Sequence, residues 1–490
     1  MAGVETMKVL VANRGEIAAR VFKTLREIGV PSVAVHSTVD REAAHLDLAD
    51  EVALLEGADG YLDGAALIAA ARAKGATAVH PGYGFLSQSA EFALACEAAG
   101  LVFIGPTAEA MRLLGDKRVS RRTAEECGIP VIPGASVCET SDDAARAADR
   151  VGWPVLLKAV GGGGGKGMRL VEREADLDEA FAAAQREAGA AFSDPRLLVE
   201  KYIAPARHVE VQILGDGCSA VALGERECSL QRRYQKVIEE GPSPGIGATT
   251  RAALLDDAAR LAKRAGYRSA GTVEFLVGPD GAHYFLEVNT RLQVEHPVTE
   301  MITGLDIVAA QVAIARGGAL PAPPAPRGHA IEARLNAEDP HRGFMPSAGP
   351  VLMLEWPARP WLRIDAGVRE GGEVRPEYDS LIAKIITWGS DREQARRRLV
   401  EGLRATTLLG VATNQAFLIQ VLESDMFRRG ETYTATLEKT AWPEPEVPAA
   451  AVVAARRALA APAGAGTGDA GPADRHSPWA IPDNAGRLRP

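Results

Sequence analysis

The feature that most restricts the fold is an alternation of short apolar runs and helical segments along the first hundred residues. An apolar run at residues 7–13 precedes helical spacing of apolar residues at 17–28 and a second apolar run at 33–36. The pattern continues with helical segments at 62–74 and 89–99 and apolar runs at 78–80 and 101–104. Because a helix between two strands packs back onto the sheet, this alternation predicts a parallel sheet and an α/β fold. Ligands collect at the carboxyl ends of such strands, and the sequence HPGYG at residues 80–84 lies at one of these ends.

Length and composition narrow the class of protein. At about 100–200 residues per domain, the 490 residues predict about three domains. The net charge is −9 and there is no long basic block, which argues against nucleic acid or an anionic membrane as a partner. No uncharged apolar run reaches the roughly 20 residues of a membrane-spanning helix, and the start of the chain lacks a secretory signal. The five cysteines have no metal-ligand spacing and cannot all pair, so we expect reduced thiols and a cytoplasmic location. The composition as a whole is typical of a multidomain α/β enzyme.

Five consecutive glycines at residues 161–165 form a candidate phosphate-binding loop. They lie between two β-like segments, VLLKA at 155–159 and MRLV at 168–171, and their unhindered N–H groups could close over phosphate oxygens. A flexible hairpin loop is the alternative. The run lacks the Gly-Lys-Ser/Thr ending and the following helix of a Walker loop. Lys158 and Lys117 favour a triphosphate ligand, because its negative charges need cations.

Polar residues at every second position mark the segment FLEVNTRLQVEHP. They are Glu287, Asn289, Arg291, Gln293 and Glu295. Period two predicts one face of an extended segment, with Glu274 on a partner strand joined to it by a hairpin turn. A solvated edge strand is the simpler explanation. Carboxylate and amide oxygens from adjacent strands would suit Mg²⁺, and a carboxylate beside Arg291 would stay ionised as a metal ligand or general base.

Other segments of the sequence contain further candidate site residues or mark the ends of domains. The stretch 225–240 predicts an exposed loop whose charges are mostly solvated, with Lys236 as a candidate anion ligand. Arg334 lies on an apolar strand, where a buried arginine needs an ion-pair partner or an anion. Cys228 is expected to pack rather than to react. The segment PAPPAP at 321–326 is a stiff linker and a boundary, and composition predicts disorder from residue 443 onward.

Several segments closely resemble the biotin carboxylase family, which belongs to the ATP-grasp proteins. In chain order they are VLVANRGEIAARV, HPGYGFLS, LLKAVGGGGGKGMR, ECSLQRRYQKVIEEGPSPGI, FLEVNTRLQVEHPVTEM and HAIEARLNAEDP. The resemblance runs from about Met7 to about Lys439. Departures from the family pattern are Tyr234 in place of the usual His, Gln88-Ser89 in place of Glu-Asn, and Gly241 in place of Ala.

The resemblance implies a mixed α/β and α+β fold in three parts with a tail. The expected parts are a Rossmann-like N-terminal domain at 7–115, an ATP-grasp domain at 116–325 with a mobile lid at about 131–204, a C-terminal biotin carboxylase domain at 326–442, and a disordered tail at 443–490. The implied nucleotide-binding residues are then Lys117 and Lys158 for the phosphates, Gly164 and Gly165 in the closing flap, Glu200, Lys201, Tyr202 and Ile203 in the adenine hinge, and His208, Gln231 and Tyr234 near the nucleotide.

The other implied roles concern metal, bicarbonate and biotin. Glu274, Glu287 and Asn289 would hold Mg²⁺ or Mn²⁺. Bicarbonate would bind to Lys236, Arg291, Gln293 and Val294, and Glu295 would deprotonate it. Arg334 would steady the enolate of biotin, with Tyr83 nearby. ATP would activate bicarbonate as carboxyphosphate, which releases CO₂ in a site closed to water.

The resemblance also implies partners. No carrier or carboxyltransferase domain follows Lys439, so we expect a freestanding homodimeric subunit that serves a biotinylated carrier protein and a carboxyltransferase on separate chains. The expected activity is the first half-reaction of an acetyl-CoA carboxylase or another acyl-CoA carboxylase. The alternatives are another ATP-grasp carboxylate–amine ligase, a non-catalytic nucleotide-binding regulator and, on the βαβ units alone, a dinucleotide-dependent oxidoreductase. The sequence after the first strand, NRGE, lacks the glycine fingerprint of that last class.

Overall fold

The structure is a computed structural model that describes residues 7–57, 59–160, 168–192, 194–233, 235–444, 481–482 and 488–489. The described residues up to 442 form one compact unit, and those from 443 onward belong to a second unit. In the second unit, the short strands β24 (Ile481–Pro482) and β25 (Leu488–Arg489) pair in antiparallel fashion. The rest of the tail that the sequence predicts to be disordered, residues 445–480 and 483–487 and residue 490, lies outside the described residues.

The N-terminal region contains the predicted parallel sheet. Its strands are β1 (Val9–Val11), β2 (Ser32–His36), β3 (Glu51–Leu54), β4 (Ala78–His80) and β5 (Val102–Phe103), in the order β3-β2-β1-β4-β5. Its helices are α1 (Gly15–Glu27), α2 (Gly64–Ala73), α3 (Ala90–Ala98) and α4 (Ala108–Gly115), followed by α5 (Lys117–Glu126). All three residues of β1 are buried, as expected for a central strand covered on both faces.

Helices α4 and α5 are separate elements that meet at Asp116. The Asp116 side chain accepts hydrogen bonds from the backbone N–H groups of Arg118 and Val119 and so caps the start of α5. The cap places Lys117 in the first turn of α5.

The predicted lid is a small α/β unit. It contains β6 (Gly134–Cys138), α6 (Ser141–Val151), β7 (Val155–Ala159), β8 (Met168–Val171), α7 (Leu177–Phe192) and β9 (Leu197–Lys201), with the strand order β6-β9-β7-β8. Strands β7 and β8 pair in antiparallel fashion on either side of the glycine run, which confirms the strand–loop–strand prediction. The glycines themselves, at 161–165, lie outside the described residues.

One eight-stranded sheet runs through the centre and the C-terminal region, in the order β14-β13-β10-β11-β12-β15-β22-β20. Its elements in the centre are β10 (Arg207–Asp216), β11 (Ala220–Arg232), β12 (Gln235–Gly241), α8 (Ala248–Arg264), β13 (Arg268–Val277), β14 (His283–Asn289), α9 (His296–Thr303) and α10 (Ile307–Ala315). Helix α8 packs its apolar face on this sheet, and strand β12 pairs directly with β15 beyond the PAPPAP linker.

The C-terminal region completes the large sheet and adds helices and short strand pairs. Its elements are β15 (His329–Asn336), β16 (Glu338–Asp339), β17 (Met345–Pro346), β18 (Gly349–Pro350), β19 (Met353–Glu355), β20 (Leu362–Ala366), β21 (Glu373–Val374), β22 (Leu381–Gly389), α11 (Arg392–Ala405), β23 (Thr407–Leu409), α12 (Gln415–Glu423), α13 (Asp425–Arg428) and α14 (Thr436–Lys439). In the described part of the chain, no single helix is long and apolar enough to cross a membrane.

The prediction of a solvated charged loop at 225–240 is wrong. Strands β11 and β12 occupy this stretch, and Arg226, Glu227, Glu239 and Glu240 are all buried within the sheet. Each is buried because it has a polar or charged partner from another element; the Arg226 guanidinium, for example, lies 2.6 Å from a carboxylate oxygen of Glu210.

Candidate active site

A lysine at the centre of the large sheet, Lys236, has only 11% of its side chain exposed and binds three carboxylates. The Nζ atom of Lys236 donates hydrogen bonds to Glu210 Oε2 at 2.6 Å, Glu274 Oε1 at 2.9 Å and Glu295 Oε1 at 2.7 Å. Burial lowers the pKa of Lys236, but the three carboxylates outweigh burial and raise it well above its ordinary value. The lysine is therefore a fixed positive charge at the base of the site.

Glu295 is fully buried and has two cationic partners. Its Oε1 accepts from Lys236, and its Oε2 accepts from NH2 of Arg334 at 3.0 Å. Burial by itself raises the pKa of Glu295, but Lys236, Arg334 and Arg226 together lower it below the usual range for a carboxyl group. Glu295 is thus ionised at neutral pH, which is the state that a general base needs.

Oxygen donors from two paired strands form the candidate metal site. Glu274 on β13 and Glu287 on β14 are directly opposite each other, and the Asn289 amide lies 2.8 Å from Glu274 Oε1. The Nζ atom of Lys117 lies 3.0 Å from Glu287 Oε2. Two carboxylates and an amide suit a hard cation such as Mg²⁺, so the donor set fits the predicted metal. The predicted phosphate-binding Lys117 lies at the same place.

The polar residues after Asn289 do not continue the strand, so the prediction of one extended face is only partly right. Strand β14 ends at Asn289, and the chain then turns before α9. In this turn Arg291 donates to the Asn289 Oδ1 at 3.2 Å and to the Gln293 Oε1 at 3.1 Å, and Gln293 donates to Glu274 Oε1 at 3.1 Å. Lys236 and Arg334 are the cations that hydrogen-bond Glu295, whereas Arg291 acts on Glu295 and Glu274 through its charge.

Arg334 links this centre to the C-terminal region. It lies on β15, and its Nε donates to Glu239 Oε1 at 2.6 Å while NH2 reaches Glu295. Burial lowers the pKa of Arg334, but Glu239, Glu295 and Glu332 raise it above its ordinary value. The sequence predicted a buried arginine that needs an ion-pair partner or an anion, and the structure supplies two carboxylate partners.

His208 and Gln231 lie beside the metal candidates. The Nε2 atom of His208 is 2.9 Å from Glu274 Oε2, and Gln231 Nε2 donates to His208 Nδ1 at 2.7 Å and to the Cys228 carbonyl at 2.9 Å. Cys228 is buried, as predicted, with Sγ 4.0 Å from Glu295 Oε1.

The lid contributes a second lysine. Lys158 Nζ on β7 is hydrogen-bonded to Glu200 on β9, so two of the predicted nucleotide residues are partners. Lys201 instead turns its side chain to the loop after α6, where its Nζ donates to the carbonyls of Gly152 and Trp153 at 3.0 and 2.7 Å.

The structure describes only some of the remaining residues that were predicted to bind the nucleotide. Tyr202 and Ile203 are half-buried in the segment between β9 and β10. Gly164, Gly165 and Tyr234 lie outside the described residues.

The loop that carries Tyr83 is tied to the end of the first strand. Asn13 Nδ2 donates to the carbonyls of Pro81 at 2.8 Å and Tyr83 at 2.6 Å. Gly82 has φ +62°, and a Cβ atom there would lie 2.9 Å from Asn13 Nδ2, so this close approach requires glycine. Val294, another of the residues predicted to bind bicarbonate, is half-buried directly before Glu295.

Sequence reasoning missed the buried charges that support the site. These are Glu210, Arg226, Glu239 and Lys384, all without exposed surface. Glu210 had a usable signal, because it alternates with apolar residues in HVEVQI and is the register partner of Glu274. Arg226 faces Glu210 across the β10–β11 hairpin, but its acceptors Thr272 and Thr299 come from β13 and α9, which are remote in the sequence.

Three protein-family models match nearly all of the compact unit. They are the biotin carboxylase N-terminal domain at residues 5–111, the ATP-binding domain of the carbamoyl-phosphate synthase L chain at 116–322, and the biotin carboxylase C-terminal domain at 332–439. The chain is 44% identical over 440 residues to the biotin carboxylase of Nostoc sp., a match that covers 88% of this chain and 98% of that protein. The chain belongs to the biotin carboxylase family. The match to biotin carboxylase of Pseudomonas aeruginosa is 46% over 441 residues, with the same coverage.

Longer relatives and solved structures agree with this membership. The chain is 46% identical to the alpha subunit of mitochondrial methylcrotonoyl-CoA carboxylase from Rattus norvegicus, of which the match covers 62%. Biotin carboxylase of Campylobacter jejuni in a βγ-ATP complex superposes with a TM-score of 0.84 at 40% identity, covering 89% of this chain and 99% of that one. The biotin carboxylase domain dimer of Hydrogenobacter thermophilus 2-oxoglutarate carboxylase, with MgADP, ADP and bicarbonate, gives 0.83 at 41% identity and the same coverage. The mixed α/β fold with an ATP-grasp domain is therefore confirmed.

Proposed function

We propose that this chain uses ATP and bicarbonate to carboxylate N1′ of biotin on a carrier protein. The observation that carries the proposal is the buried cluster in which Lys236 joins Glu274, beside the candidate metal site, to Glu295, which in turn binds Arg334. The proposed reaction needs the metal site, the base and the biotin-stabilising arginine close together, and these hydrogen bonds hold the three proposed groups next to one another. Membership of the biotin carboxylase family supports the same assignment.

Bicarbonate would enter where Lys236, Arg291 and Gln293 converge. As an anion it would share Lys236 with Glu295, and this competition would free a carboxylate oxygen of Glu295 to take the bicarbonate proton. The Val294 backbone, next to this carboxylate, would complete the pocket. The resulting carbonate is a better attacker on the γ-phosphate than bicarbonate itself.

The phosphates of ATP would lie between Lys117 and Lys158, with Gly164 and Gly165 closing over them. When bound at Glu274, Glu287 and Asn289, Mg²⁺ or Mn²⁺ would neutralise charge on the transferring phosphoryl group. Lys117 pairs with Glu287, which brings the proposed phosphate-binding lysine next to the proposed metal ligands. The proposed adenine contacts are Glu200, Lys201, Tyr202, Ile203, His208, Gln231 and Tyr234.

Biotin would bind beside Arg334 and Tyr83. Carboxyphosphate would break into CO₂ and phosphate, and the phosphate would take the N1′ proton. The electron pair left on N1′, delocalised onto the ureido oxygen, would then form the new C–N bond with CO₂. Arg334 would stabilise the negative ureido oxygen in this step, because its guanidinium is fixed by Glu239.

The test is release of ADP that depends on bicarbonate, metal ion and free biotin, with labelled bicarbonate recovered in carboxybiotin. Glu295→Ala should lower turnover by about 10²–10⁴-fold, the usual contribution of a general base, and leave the Kd for ATP nearly unchanged. Glu126→Ala, which removes an exposed carboxylate at the end of α5, is the matched control. Label recovered in an amide or thioester would support a different ATP-grasp ligase, and loss of ATP binding in Glu295→Ala would refute the base assignment.

We also propose the assembly. The carrier and the carboxyltransferase would be separate chains, the subunit would be a cytoplasmic homodimer, and the final acceptor would be acetyl-CoA or another acyl-CoA. One relative is the alpha subunit of a methylcrotonoyl-CoA carboxylase, which supports an acyl-CoA acceptor, and a solved relative is a domain dimer, which supports the homodimer. Light scattering of the purified chain tests the dimer. Purification from the native cell with streptavidin detection of a co-purifying biotinylated protein tests the carrier.

A further inference from the structure

A buried lysine, Lys384 on β22, contacts the loop that carries the proposed base. Its side chain has no exposed surface, and Nζ donates a hydrogen bond to the backbone carbonyl of Val294 at 3.1 Å. The same Nζ lies 2.9 Å from Glu16 Oε2 on α1 and 3.9 Å from Asp365 Oδ2 on β20. One ammonium group thus joins the N-terminal sheet region, the turn before α9 and the C-terminal strands.

Lys384 and Arg334 act on neighbouring residues of that turn. They are directly opposite each other in the antiparallel pair β15 and β22, so their side chains project from the same face of the sheet. Arg334 binds the carboxylate of Glu295, and Lys384 binds the carbonyl of Val294. The Val294 carbonyl and the Glu295 N–H belong to one planar peptide group. A hydrogen bond to that carbonyl therefore fixes the plane from which the Glu295 side chain departs.

Neutralisation of buried acids accounts for the ion pair of Lys384 with Glu16, but not for its hydrogen bond to the Val294 carbonyl. Asp365 already has its own cation, because Arg363 donates to both of its carboxylate oxygens at 2.8–3.2 Å. Within the described residues neither carboxylate oxygen of Glu16 has a hydrogen-bond partner, although Lys384 is close enough for an ion pair. Among the same residues, the one hydrogen bond that Lys384 donates goes to Val294.

We propose that Lys384 is a positioning residue for bicarbonate activation, which it serves by holding the Val294–Glu295 peptide group in place. The inference rests on the proposed function, because it assumes that Glu295 is the base. The lysine does not touch substrate in this role. Its loss should misplace the Glu295 carboxylate relative to bicarbonate while the nucleotide residues on β13, β14 and the lid stay where they are.

The experiment compares Lys384→Met with the double variant Glu16→Gln/Lys384→Met, which removes the lysine together with its nearest carboxylate charge. Glu16→Gln alone keeps the bond to Val294. Thr387→Val is the matched control, because Thr387 is equally buried on β22 but faces the other side of the sheet, where it bonds the Ala395 carbonyl. For each variant, biotin-stimulated ADP release gives kcat and the KM values for bicarbonate and ATP, and thermal unfolding gives the Tm.

Both lysine variants should lose on the order of 10²-fold in kcat/KM for bicarbonate, as expected when a reacting group is misplaced, with the KM for ATP within about twofold of wild type. Glu16→Gln and Thr387→Val should keep wild-type kinetics even where their Tm falls. Wild-type bicarbonate kinetics in the double variant, a parallel rise of both KM values, or failure of the double variant to fold would each overturn the positioning role. Absence of bicarbonate-dependent turnover in the wild type would overturn the proposed function instead.

Discussion

Glu332 should make the stability of this protein fall as pH rises, and Glu332→Gln should remove that effect. Glu332 on β15 is completely buried, and within the described residues neither of its carboxylate oxygens has a hydrogen-bond partner. It faces Glu239 directly across the antiparallel pair β12 and β15. Burial first, and then the charge of Glu239, raise the pKa of Glu332 well above its ordinary value, against the opposing effects of Lys384 and Arg334.

The direction and size of this pH dependence follow from the proton that Glu332 binds when the protein folds. A carboxyl group whose pKa is raised in the folded state gives its full stability below the unfolded pKa, and this stability is lost as pH rises towards the folded pKa. Between those two limits each pH unit lowers the free energy of unfolding by about 1.4 kcal/mol. Glutamine has the same shape and needs no proton, so the stability of Glu332→Gln relative to wild type should increase by that amount per pH unit above the ordinary carboxyl range.

Urea unfolding at a series of pH values from 5 to 8 measures this difference. Glu126→Gln, an exposed carboxylate on α5, is the control, and its difference from wild type should not change with pH. A flat difference for Glu332→Gln, or a variant that loses stability relative to wild type as pH rises, would show that Glu332 is ionised in the folded protein. Either result would refute the reasoning from burial and the facing carboxylate.

Three further predictions concern other buried groups and the metal. Arg226→Met should lower the free energy of unfolding by about 3–5 kcal/mol, measured by urea denaturation, because it leaves the buried carboxylate of Glu210 without one of its two cations. Cys228 should resist iodoacetamide in the folded protein while exposed Cys218 reacts, as mass spectrometry of alkylated peptides would show, since burial raises the pKa of the Cys228 thiol well above its usual value. EDTA should abolish ADP release, and added Mg²⁺ or Mn²⁺ should restore it; activity that persists after exhaustive chelation would contradict the assignment of the oxygen-donor site.

The parts of the site that the sequence predicted well are those encoded by local patterns. Glu274 and Glu287 face each other because two strands with alternating residues are joined by a tight turn, which fixes their register within a few residues. The position of the glycine run between two strands was predicted from the β-like segments on either side of it, at 155–159 and 168–171. The turn from Asn289 to Glu295 was missed, since its alternating polar residues imitate a strand although their hydrogen bonds fold the chain back on itself.

By itself, the sequence determined the N-terminal parallel sheet, the family and the chemical types of the site residues, because apolar periodicity and short motifs act over neighbouring residues. Only the tertiary structure decided which charged residues are buried. Four charged residues are fully buried: Glu210, Arg226, Glu239 and Lys384. Each is stable inside the protein because a polar or charged partner on another element lies within hydrogen-bond or ion-pair distance. The free energy of burying a charge depends on that partner, and the partners of Glu239 and Lys384 are about 90 residues away in the chain, so no local pattern revealed those two burials.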